Sequence, residues 1–382
     1  MSKSFTSTLK NLNWISIFYL LSIPAAALAL LPWAIKQHLF LWPIVVYAII
    51  HYAVDCLSIT VGYHRLISHK AYEAHPVVKA IMLFTGAGAF QNSALVWSKD
   101  HRIHHREVDT DKDPYSINKG FWYAHFFWMF FKDEPLDLEK IPPDLKKDKM
   151  IMFQHNYYLP LALMMGFVVP ILMGKLLVGS YMAGLYVGAV WRLFLSGHCT
   201  FGINSFAHMI GTRPYSVTCT ARDNWFLSIL TFGEGYHNYH HRFQADYRNG
   251  LVWYAWDPSK WIIYGLSRLG LTYNLNRIPE EKVHVARMEV AEQKLEQKGF
   301  NVASMVKHRM ELLNVHQKME ALRAEFERYK NMGREQMDRS ERAFVIVYKK
   351  RMKELSQARK AVIRKWKTER KLIRSLPRVA VG

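Results

Sequence analysis

Cysteine is scarce in this 382-residue chain, and the few positions it occupies exclude whole classes of site. Only Cys56, Cys199 and Cys219 are present, and no pair has the C-x-x-C spacing of a thiolate metal site. An odd number of thiols without a pairing pattern also argues against a disulfide framework. The sequence therefore predicts a protein of a reducing compartment.

The N-terminus lacks the pattern of a cleavable signal peptide. Residues 1–14, MSKSFTSTLKNLNW, lead into an apolar stretch that has no small-residue cleavage site. A signal peptide carries such a site directly after its short apolar region. We therefore expect a retained membrane segment.

Acidic residues are outnumbered, and the imbalance is concentrated at one end of the chain. The sequence has 51 Lys and Arg against 31 Asp and Glu, and residues 279–382 hold 26 basic and 14 acidic residues. All 12 Trp except Trp366 lie before residue 279. This split predicts an apolar domain, residues 1–278, followed by a charged, basic helical tail, residues 279–382.

Four apolar stretches are each near the ~20 residues that cross the ~30 Å hydrocarbon core of a bilayer: residues 14–34, 39–61, 157–174 and 177–200. Four spans place both termini and the segment 62–156 on one side. That side is rich in Lys and Arg, whereas the opposite loops offer Lys36 and Lys175, so the positive-inside rule makes it cytoplasmic. The alternative, in which some runs are core helices of a soluble protein, stays open.

The predicted fold class is all-α. We expect an integral membrane bundle of four transmembrane helices, capped by cytosolic, histidine-rich helical segments, residues 62–156 and 201–278. Two shorter apolar stretches, residues 75–90 and 120–131, fit helices that lie at the membrane interface. In the tail we expect two or three amphipathic helices, interrupted near Gly299 and Gly333.

Histidine is the residue type that the sequence concentrates. Nine of the 18 histidines fall in four short strings, HRLISH, DHRIHH, NSFAH and EGYHNYHH. Neutral imidazole is a common metal ligand, so these strings are candidate metal ligands. The residues are His64, His69, His101, His104, His105, His208, His237, His240 and His241, with Asn204 four positions before His208.

The spacing of these histidines favours a shared site. In H-x-x-H-H on a helix, the first histidine shares a face with those at i+3 and i+4, so the three imidazoles can converge. Nine donors exceed the four of a tetrahedral ion or the six of an octahedral one, so we expect two metals. All four strings lie just past the cytoplasmic ends of spans two and four or in the segments beyond them.

Isolated histidines have a simpler interpretation. His38 and His125 are typical of capped or solvent-facing residues. His51 and Asp55 are four apart within span two, where polar pairs are functional by default, although the two side chains can equally satisfy one another.

The chain resembles the membrane di-iron acyl desaturases, close to the stearoyl-CoA (delta-9) type. The resemblance covers residues 14–278 and rests on GYHRLISHK, AFQN, WSKDHRIHH, DTDKDPY, INSFAH, GTRPY and GEGYHNYHH, in this order. It implies that the nine histidines hold two irons, with Asn204 reaching one of them through a water. Imidazole suits both zinc and iron, and only the resemblance chooses iron.

The implied reaction removes two hydrogens from adjacent carbons of a long saturated acyl chain, with O2 and two electrons. An unactivated C–H bond offers no acidic proton, so acid and base side chains alone would not suffice. The product is an unsaturated fatty acid, which places the protein in lipid metabolism. The resemblance also implies an apolar tunnel that holds the chain away from water.

The resemblance assigns substrate roles to eight residues. Trp97 and Thr200 match residues that bend the tunnel beside the metals, although an interfacial anchor is the simpler interpretation of Trp97 alone. Tyr52 and Cys56 match its far end and imply chains of about 16 to 18 carbons, although Tyr52 alone reads as a core aromatic. The remaining positions are Gln91 and Asn92 near the acyl head, Lys99 on the approach, and Phe201, where vertebrate enzymes carry Trp.

Two departures from the family pattern bear on partners. The string FFKDEP keeps Lys132 but adds Asp133 and Glu134 where acyl-CoA enzymes carry adjacent basic residues, and acidic neighbours weaken anion binding. Acyl-CoA remains the expected substrate, since Lys99, Arg102 and Arg106 are near, with a phospholipid-linked or carrier-linked acyl group as the alternative.

The second departure is the tail. No H-P-G-G haem signature occurs, so we expect a separate electron donor, a ferredoxin or a cytochrome b5 type protein, with its reductase. Residues 349–378 hold 13 basic and two acidic residues. Anionic lipid, an acidic donor or plain solvation each explain that block, whereas nucleic acid does not suit a membrane enzyme.

Three functions are compatible with these sequence features. The leading one is a multi-pass desaturase with its site on the cytoplasmic face, in a bacterial inner membrane. A di-iron acyl hydroxylase is the second, because the same oxidant can leave oxygen on carbon. A metal transporter is the non-enzymatic alternative, but transporters need ligands at membrane depth.

Overall fold

The computed structural model describes residues 11–131, 141–331 and 339–375. The predicted all-α class is confirmed, since helices dominate these residues. In the described ranges the two strands are β1 (Glu73–Ala74) and β2 (Thr272–Tyr273), which pair antiparallel with Glu73 opposite Tyr273. The described residues form two compact units, one up to Arg213 with Thr218–Arg277, the other Pro214–Val217 with the residues from Ile278.

The first unit begins with the helices that contain the predicted spans one and two. These are α1 (Trp14–Ala29), α2 (Leu31–Lys36) and α3 (Trp42–Leu57), and α3 continues as a π-helix over Ser58–Ser68. The predicted first span is thus interrupted at Leu30. Proline in the first turn of α2 explains the new start, because it lacks an N–H and suits that position.

Short helices then form the segment between the second and third spans. They are α4 (Pro76–Ala87), α5 (Ala94–Glu107), a 3₁₀ turn Ile117–Lys119, α6 (Phe121–His125), a 3₁₀ turn Phe127–Phe130, α7 (Pro143–Lys146) and α8 (Lys149–Asn156). Asp148 caps α8, since its side chain accepts from the Met150 and Ile151 amides.

The third predicted span is α9 (Tyr158–Leu163), a π-helix Met164–Val168 and α10 (Val169–Val178), which run continuously. Gly179 then turns the chain with φ of 72°. The fourth span comprises α11 (Tyr181–Ala183), a π-helix Gly184–Trp191 and α12 (Arg192–Met209). It extends nine residues past the predicted end at residue 200, so Asn204 and His208 lie on α12 itself.

The first unit ends with three further helices. These are α13 (Trp225–Leu230), α14 (His237–Arg242) and α15 (Pro258–Arg268). Asn224 and Asp257 cap α13 and α15, because each side chain accepts a backbone N–H in the first turn.

Within the described ranges, two helices are long and apolar enough to cross a membrane, Trp42–Ser68 and Tyr158–Val178, while Trp14–Ala29 and Pro76–Ala87 are apolar but shorter. Large apolar side chains point outward from these helices: Ile15 is 84% exposed, Phe18 75% and Trp42 76%. An outward apolar surface of this extent needs an apolar environment, which indicates membrane association.

A buried ion pair ties these helices together. Arg192 on α12 is paired with Asp55 on α3, and its remaining N–H groups reach the carbonyls of Gly88 and Gly166. His51 Nε2 lies 3.6 Å from Asp55 Oδ1. A buried guanidinium is tolerated when its donors find acceptors, so this network holds four segments in register.

The second unit contains α16 (Glu280–Glu296), α17 (Ala303–Asn331) and α18 (Arg339–Ser375). The expected helices of the tail are confirmed, and Gly299 separates the first two with φ of 82°. Gly333 lies outside the described residues. The core of this unit is formed by buried apolar side chains, among them Met288, Leu295, Met305, Leu312 and Trp366.

Candidate metal centre

The nine predicted histidines meet in two separate groups. In each group every residue offers one nitrogen, and these nitrogens lie within 4.8 Å of one another. Five imidazoles form one group and four the other, which gives the nine. The first comprises His64, His69, His101, His105 and His240, and the second His104, His208, His237 and His241.

Helix geometry explains how the histidines are divided. On α5, His101 and His105 enter the five-histidine group while His104 enters the other. At about 100° per residue, i and i+4 are about 40° apart, whereas i+3 falls on the other side of i. Each H-x-x-H-H string thus lies on a helix, but the expectation that its three imidazoles converge on one point is wrong, because they divide between the two groups.

The same rule operates on α14 with the groups exchanged. His237 and His241, at i and i+4, belong to the four-histidine group, and His240 belongs to the five-histidine group. The other ligand candidates come from distant segments. His64 lies in the π-helix Ser58–Ser68 and His69 follows its last residue. π-helical turns are frequent at functional sites.

The facing atoms are the Nε2 nitrogens. In the first group, His64 Nε2 and His105 Nε2 each lie 2.9 Å from His240 Nε2. In the second, His237 Nε2 lies 3.0 Å from both His208 Nε2 and His241 Nε2. A neutral imidazole has one N–H and one acceptor nitrogen, so several nitrogens turned to one point exceed what shared protons can satisfy. A cation at each point fits this donor set.

Burial favours the neutral, metal-binding form of several imidazoles in the two groups. Desolvation, and then the neighbouring imidazoles, hold the pKa of His69, His101 and His240 well below the usual range. The pKa of His241 is lowered for the same reasons. Neutral nitrogens suit iron, zinc, copper and nickel alike.

Carboxylates and a hydroxyl stand behind several imidazoles. His64 Nδ1 lies 3.0 Å from Glu234 Oε2, and His104 Nδ1 lies 2.9 Å from Asp113 Oδ1. Thr220 Oγ1 is 2.7 Å from His208 Nδ1. Such partners fix the tautomer and aim Nε2 at the metal.

The sequence interpretation missed these partners, although a signal was present. Glu234 lies within GEGYHNYHH, and Asp113 lies within DTDKDPY. Both acidic residues stand within ten positions of histidines, which is where a carboxylate–imidazole pair is expected for a metal ligand.

Glu234 is itself held by a buried arginine. Arg65 Nη2 lies 3.0 Å from Glu234 Oε1 and 2.9 Å from Asp257 Oδ1. Burial alone would lower the pKa of Arg65, but Asp257 and Glu234 together raise it above its ordinary value. The guanidinium therefore stays charged and fixes the carboxylate behind His64.

An apolar cavity of about 560 Å³ opens beside both histidine groups. His64 and His101 of the first group and His104 and His237 of the second line it, together with Asn204. Six of the eight predicted substrate residues also line it: Cys56, Gln91, Asn92, Trp97, Thr200 and Phe201. The cavity therefore brings the metal candidates and most substrate candidates together.

The other two substrate candidates lie outside the lining. The Tyr52 hydroxyl donates to the Leu230 carbonyl, and its ring packs 6.0 Å from that of Phe232. Lys99 Nζ lies 3.0 Å from Asp100 Oδ1. Lys99 therefore already has an acidic partner.

The cations expected to meet a CoA phosphate are likewise paired within the protein. Arg102 Nη2 lies 2.8 Å from Asp144 Oδ2, and Arg106 Nε lies 2.9 Å from Glu107 Oε1. The departure at Lys132, Asp133 and Glu134 lies outside the described residues.

Gln91, which was predicted to lie near the acyl head, hydrogen-bonds to two other residues of the cavity wall. Its Nε2 donates to Thr200 Oγ1 at 2.9 Å, and its Oε1 accepts from Trp97 Nε1 at 3.3 Å. The Trp97 ring stacks on His101 with centroids 4.7 Å apart. Gln91 thus links the two predicted bend residues to a candidate metal ligand.

A helical chain that collects nine imidazoles into two groups beside an apolar cavity is compatible with a metal-binding protein that has an apolar ligand. Known proteins agree with this class. The fatty acid desaturase family model matches residues 37–257, more than half of the chain. The chain belongs to the fatty acid desaturase family.

Three relatives illustrate the match. A probable acyl-CoA desaturase of Schizosaccharomyces pombe is 43% identical over 279 residues, 72% of this chain and 57% of the relative. Acyl-CoA desaturase 1 of Saccharomyces cerevisiae is 39% identical over 295 residues, which are 77% of this chain and 57% of the relative. An acyl-CoA desaturase of Ovis aries is 34% identical over 253 residues, which are 65% of this chain and 69% of the relative. The match thus spans 57% of the length of the two yeast proteins.

Proposed function

We propose that the protein is an acyl-CoA desaturase that inserts a cis double bond, at the delta-9 position, into a long saturated acyl chain. The observation that carries the proposal is the cavity wall, which apolar side chains and both histidine groups share. An acyl chain in that cavity lies against both metal positions. The names of the relatives support acyl-CoA as the substrate.

The nine histidines are proposed to hold two irons, with Asn204 as a further, water-mediated position. When bound, the irons supply the oxidising power that removes two hydrogens from a CH2–CH2 unit, with O2 and two electrons. With two protons taken up, the balance gives one C=C bond and two waters.

The protein's own residues bind and orient the chain. Trp97, Gln91 and Thr200 form a hydrogen-bonded arc across the cavity, which fixes the rotamers of the two flanking side chains. A fixed wall determines which carbons face the histidines, because positioning is the main contribution a protein makes to such a reaction. The apolar lining also excludes water.

The proposed setting is a membrane crossed four times, with the histidine groups on the cytoplasmic face. The helices of the fourth predicted span carry buried Arg192, whose pairing with Asp55 makes a charged residue tolerable there. Electrons are proposed to come from a separate ferredoxin or cytochrome b5 type donor with its reductase. The relatives named above are from yeasts and a mammal, so they give the expected bacterial source no support.

The test is the fatty-acid profile of a host that lacks its own desaturase and expresses this chain. We expect gas chromatography with mass spectrometry to show a new cis-monounsaturated acid of 16 to 18 carbons, as the resemblance implies. His104→Ala should abolish the product, whereas His38→Asn, at an exposed histidine outside both groups, should preserve it.

Two outcomes would contradict the proposal. Hydroxylated acids in place of unsaturated ones would identify a hydroxylase. An unchanged amount of product in His104→Ala would show that the proposed metal centre is not needed for the reaction. Purified protein given stearoyl-CoA or a stearoyl phospholipid then distinguishes the two substrate forms.

A further inference from the structure

The second unit contains a cavity whose wall is unusually basic. It measures about 590 Å³ and lies between the C-terminal end of α16 with the residues after it and the last turns of α18. The floor is apolar, with Ala291, Leu295 and Phe300. Four cationic side chains complete the wall with Gln297: Lys294, Lys298, Arg370 and Arg374.

No carboxylate from the described residues lines this cavity. Two nearby acidic side chains have other partners. Glu292 accepts from Trp366 Nε1 at 3.0 Å and from Arg309 Nε at 2.7 Å, and Glu369 accepts from Ser304 at 2.7 Å. The wall formed by the described residues therefore carries positive charge and no carboxylate.

Arg370 has a buried donor atom that is not satisfied within the described residues. Its Nε is buried and, in the part of the chain that the structure describes, has no hydrogen-bond partner. Burial and the charge of Arg374 lower the pKa of Arg370. Its guanidinium also lies over the Trp366 ring, 5.4 Å from the centroid, which fixes its position.

A simpler explanation for the cations in the last turns of α16 and α18 is stabilisation of the helix ends. Such cations interact favourably with the exposed carbonyls at helix C-termini. That effect accounts for a cation at each end, but it does not account for a buried donor without an acceptor. It also does not explain why three cations on the two helices and Lys298, which follows α16, surround one cavity.

We propose that this cavity is a binding site for a phosphate monoester or a pyrophosphate group. Guanidinium forks match phosphate oxygens in geometry, and a ligand of charge about −2 balances several cations where one carboxylate would not. The ligand has two possible sources, the headgroup of an anionic phospholipid such as phosphatidic acid, or a soluble phosphate compound.

The test uses the full-length protein in detergent micelles and isothermal titration calorimetry. Pyrophosphate probes the soluble source and dihexanoyl phosphatidic acid the lipid source, with dihexanoyl phosphatidylcholine as the neutral control. We expect Arg370→Gln and Lys298→Gln to weaken binding about tenfold or more, since each removes a charge-assisted contact. Arg364→Gln, at an exposed position on the same helix outside the cavity, should stay within about twofold, because it removes only a distant charge.

Preference for pyrophosphate or for phosphatidic acid supports the site and identifies the source. Absence of binding to both probes overturns the proposal. An equal loss of binding affinity in Arg364→Gln and Arg370→Gln also overturns it, because the attraction would then come from the overall positive charge of the helix and not from the cavity. Lys298→Gln lies outside α18 and leaves Arg370 stacked on Trp366, so it tests the site if the Arg370 variant misfolds. Binding is measured without turnover and is therefore independent of desaturase activity.

Discussion

At the scale of single residues, the side chains that contact Nδ1 of an imidazole determine which ring nitrogen faces into its histidine group. Each histidine can present either ring nitrogen, and the choice depends on what the other nitrogen meets. Glu234 beside His64 and Asp113 beside His104 leave Nε2 as the nitrogen that faces inward.

The first prediction concerns Asp113. Asp113→Asn removes the negative charge behind His104, which lies in the four-histidine group. Loss of such a partner lowers metal affinity about 10- to 100-fold. We expect the purified variant to lose one of two irons under chelator competition, measured by inductively coupled plasma mass spectrometry.

Asp111→Asn is the matched control, because it makes the same change at an exposed position two residues away. Equal iron retention in both variants would show that Asp113 does not support the centre. Two irons per chain in the parent protein are the baseline, and a zinc content of two would contradict the choice of iron.

At the scale of elements, close approach of helices sets the shape of the first unit. Gly174 on α10 and Gly184 at the start of the following π-helix face each other. A Cβ on Gly184 would overlap the Pro170 carbonyl oxygen, and a Cβ on Gly174 would overlap the Gly184 backbone. Small residues permit such backbone contact between membrane helices.

The second prediction follows from that contact. Gly184→Ala forces α10 away from the fourth-span helices, at a cost of about 1–3 kcal/mol. We expect a lower apparent unfolding temperature in detergent and weaker desaturase activity. Gly265→Ala is the control. This glycine lies within a helix and an added Cβ has no neighbour within 4 Å, so the free energy of unfolding should rise by about 0.5–1 kcal/mol. A Gly184 variant as stable as the parent would contradict the packing.

The elements also show how far sequence patterns carry. The H-x-x-H-H spacing correctly predicted helices, and it brought the i and i+4 imidazoles of each string into one group, because the 3.6-residue period is local. The same spacing did not reveal that His104 and His240 leave their neighbours for the other group. That division depends on which segments approach α5 and α14, and those segments are more than 100 residues apart in the chain.

At the scale of the whole molecule, the proposed four-span topology can be tested by the sides of the membrane that its loops reach. The proposal requires Lys36 and Lys119 to lie on opposite sides of the membrane, since an odd number of proposed spans separates them. Both side chains are exposed in the structure. Their accessibility from each side can therefore be measured directly.

The topology prediction uses Lys36→Cys and Lys119→Cys with a membrane-impermeant maleimide. We expect intact cells to label only Lys36→Cys and inside-out vesicles only Lys119→Cys. The unsubstituted protein is the control for its own thiols, of which Cys56 and Cys219 are buried. Labelling of both variants from the same side would exclude four spans.

The sequence by itself determined the helical class, the family and the identity of the nine histidines, because periodicity, apolar run length and residue chemistry are local properties. It also placed Trp97, Thr200 and Cys56 at a common cavity through resemblance. Only the tertiary structure decided how the imidazoles divide between two centres, that Gln91 joins Trp97 to Thr200, and which carboxylates stand behind His64 and His104. Those relations depend on contacts between segments far apart in the chain, and no local pattern encodes such contacts.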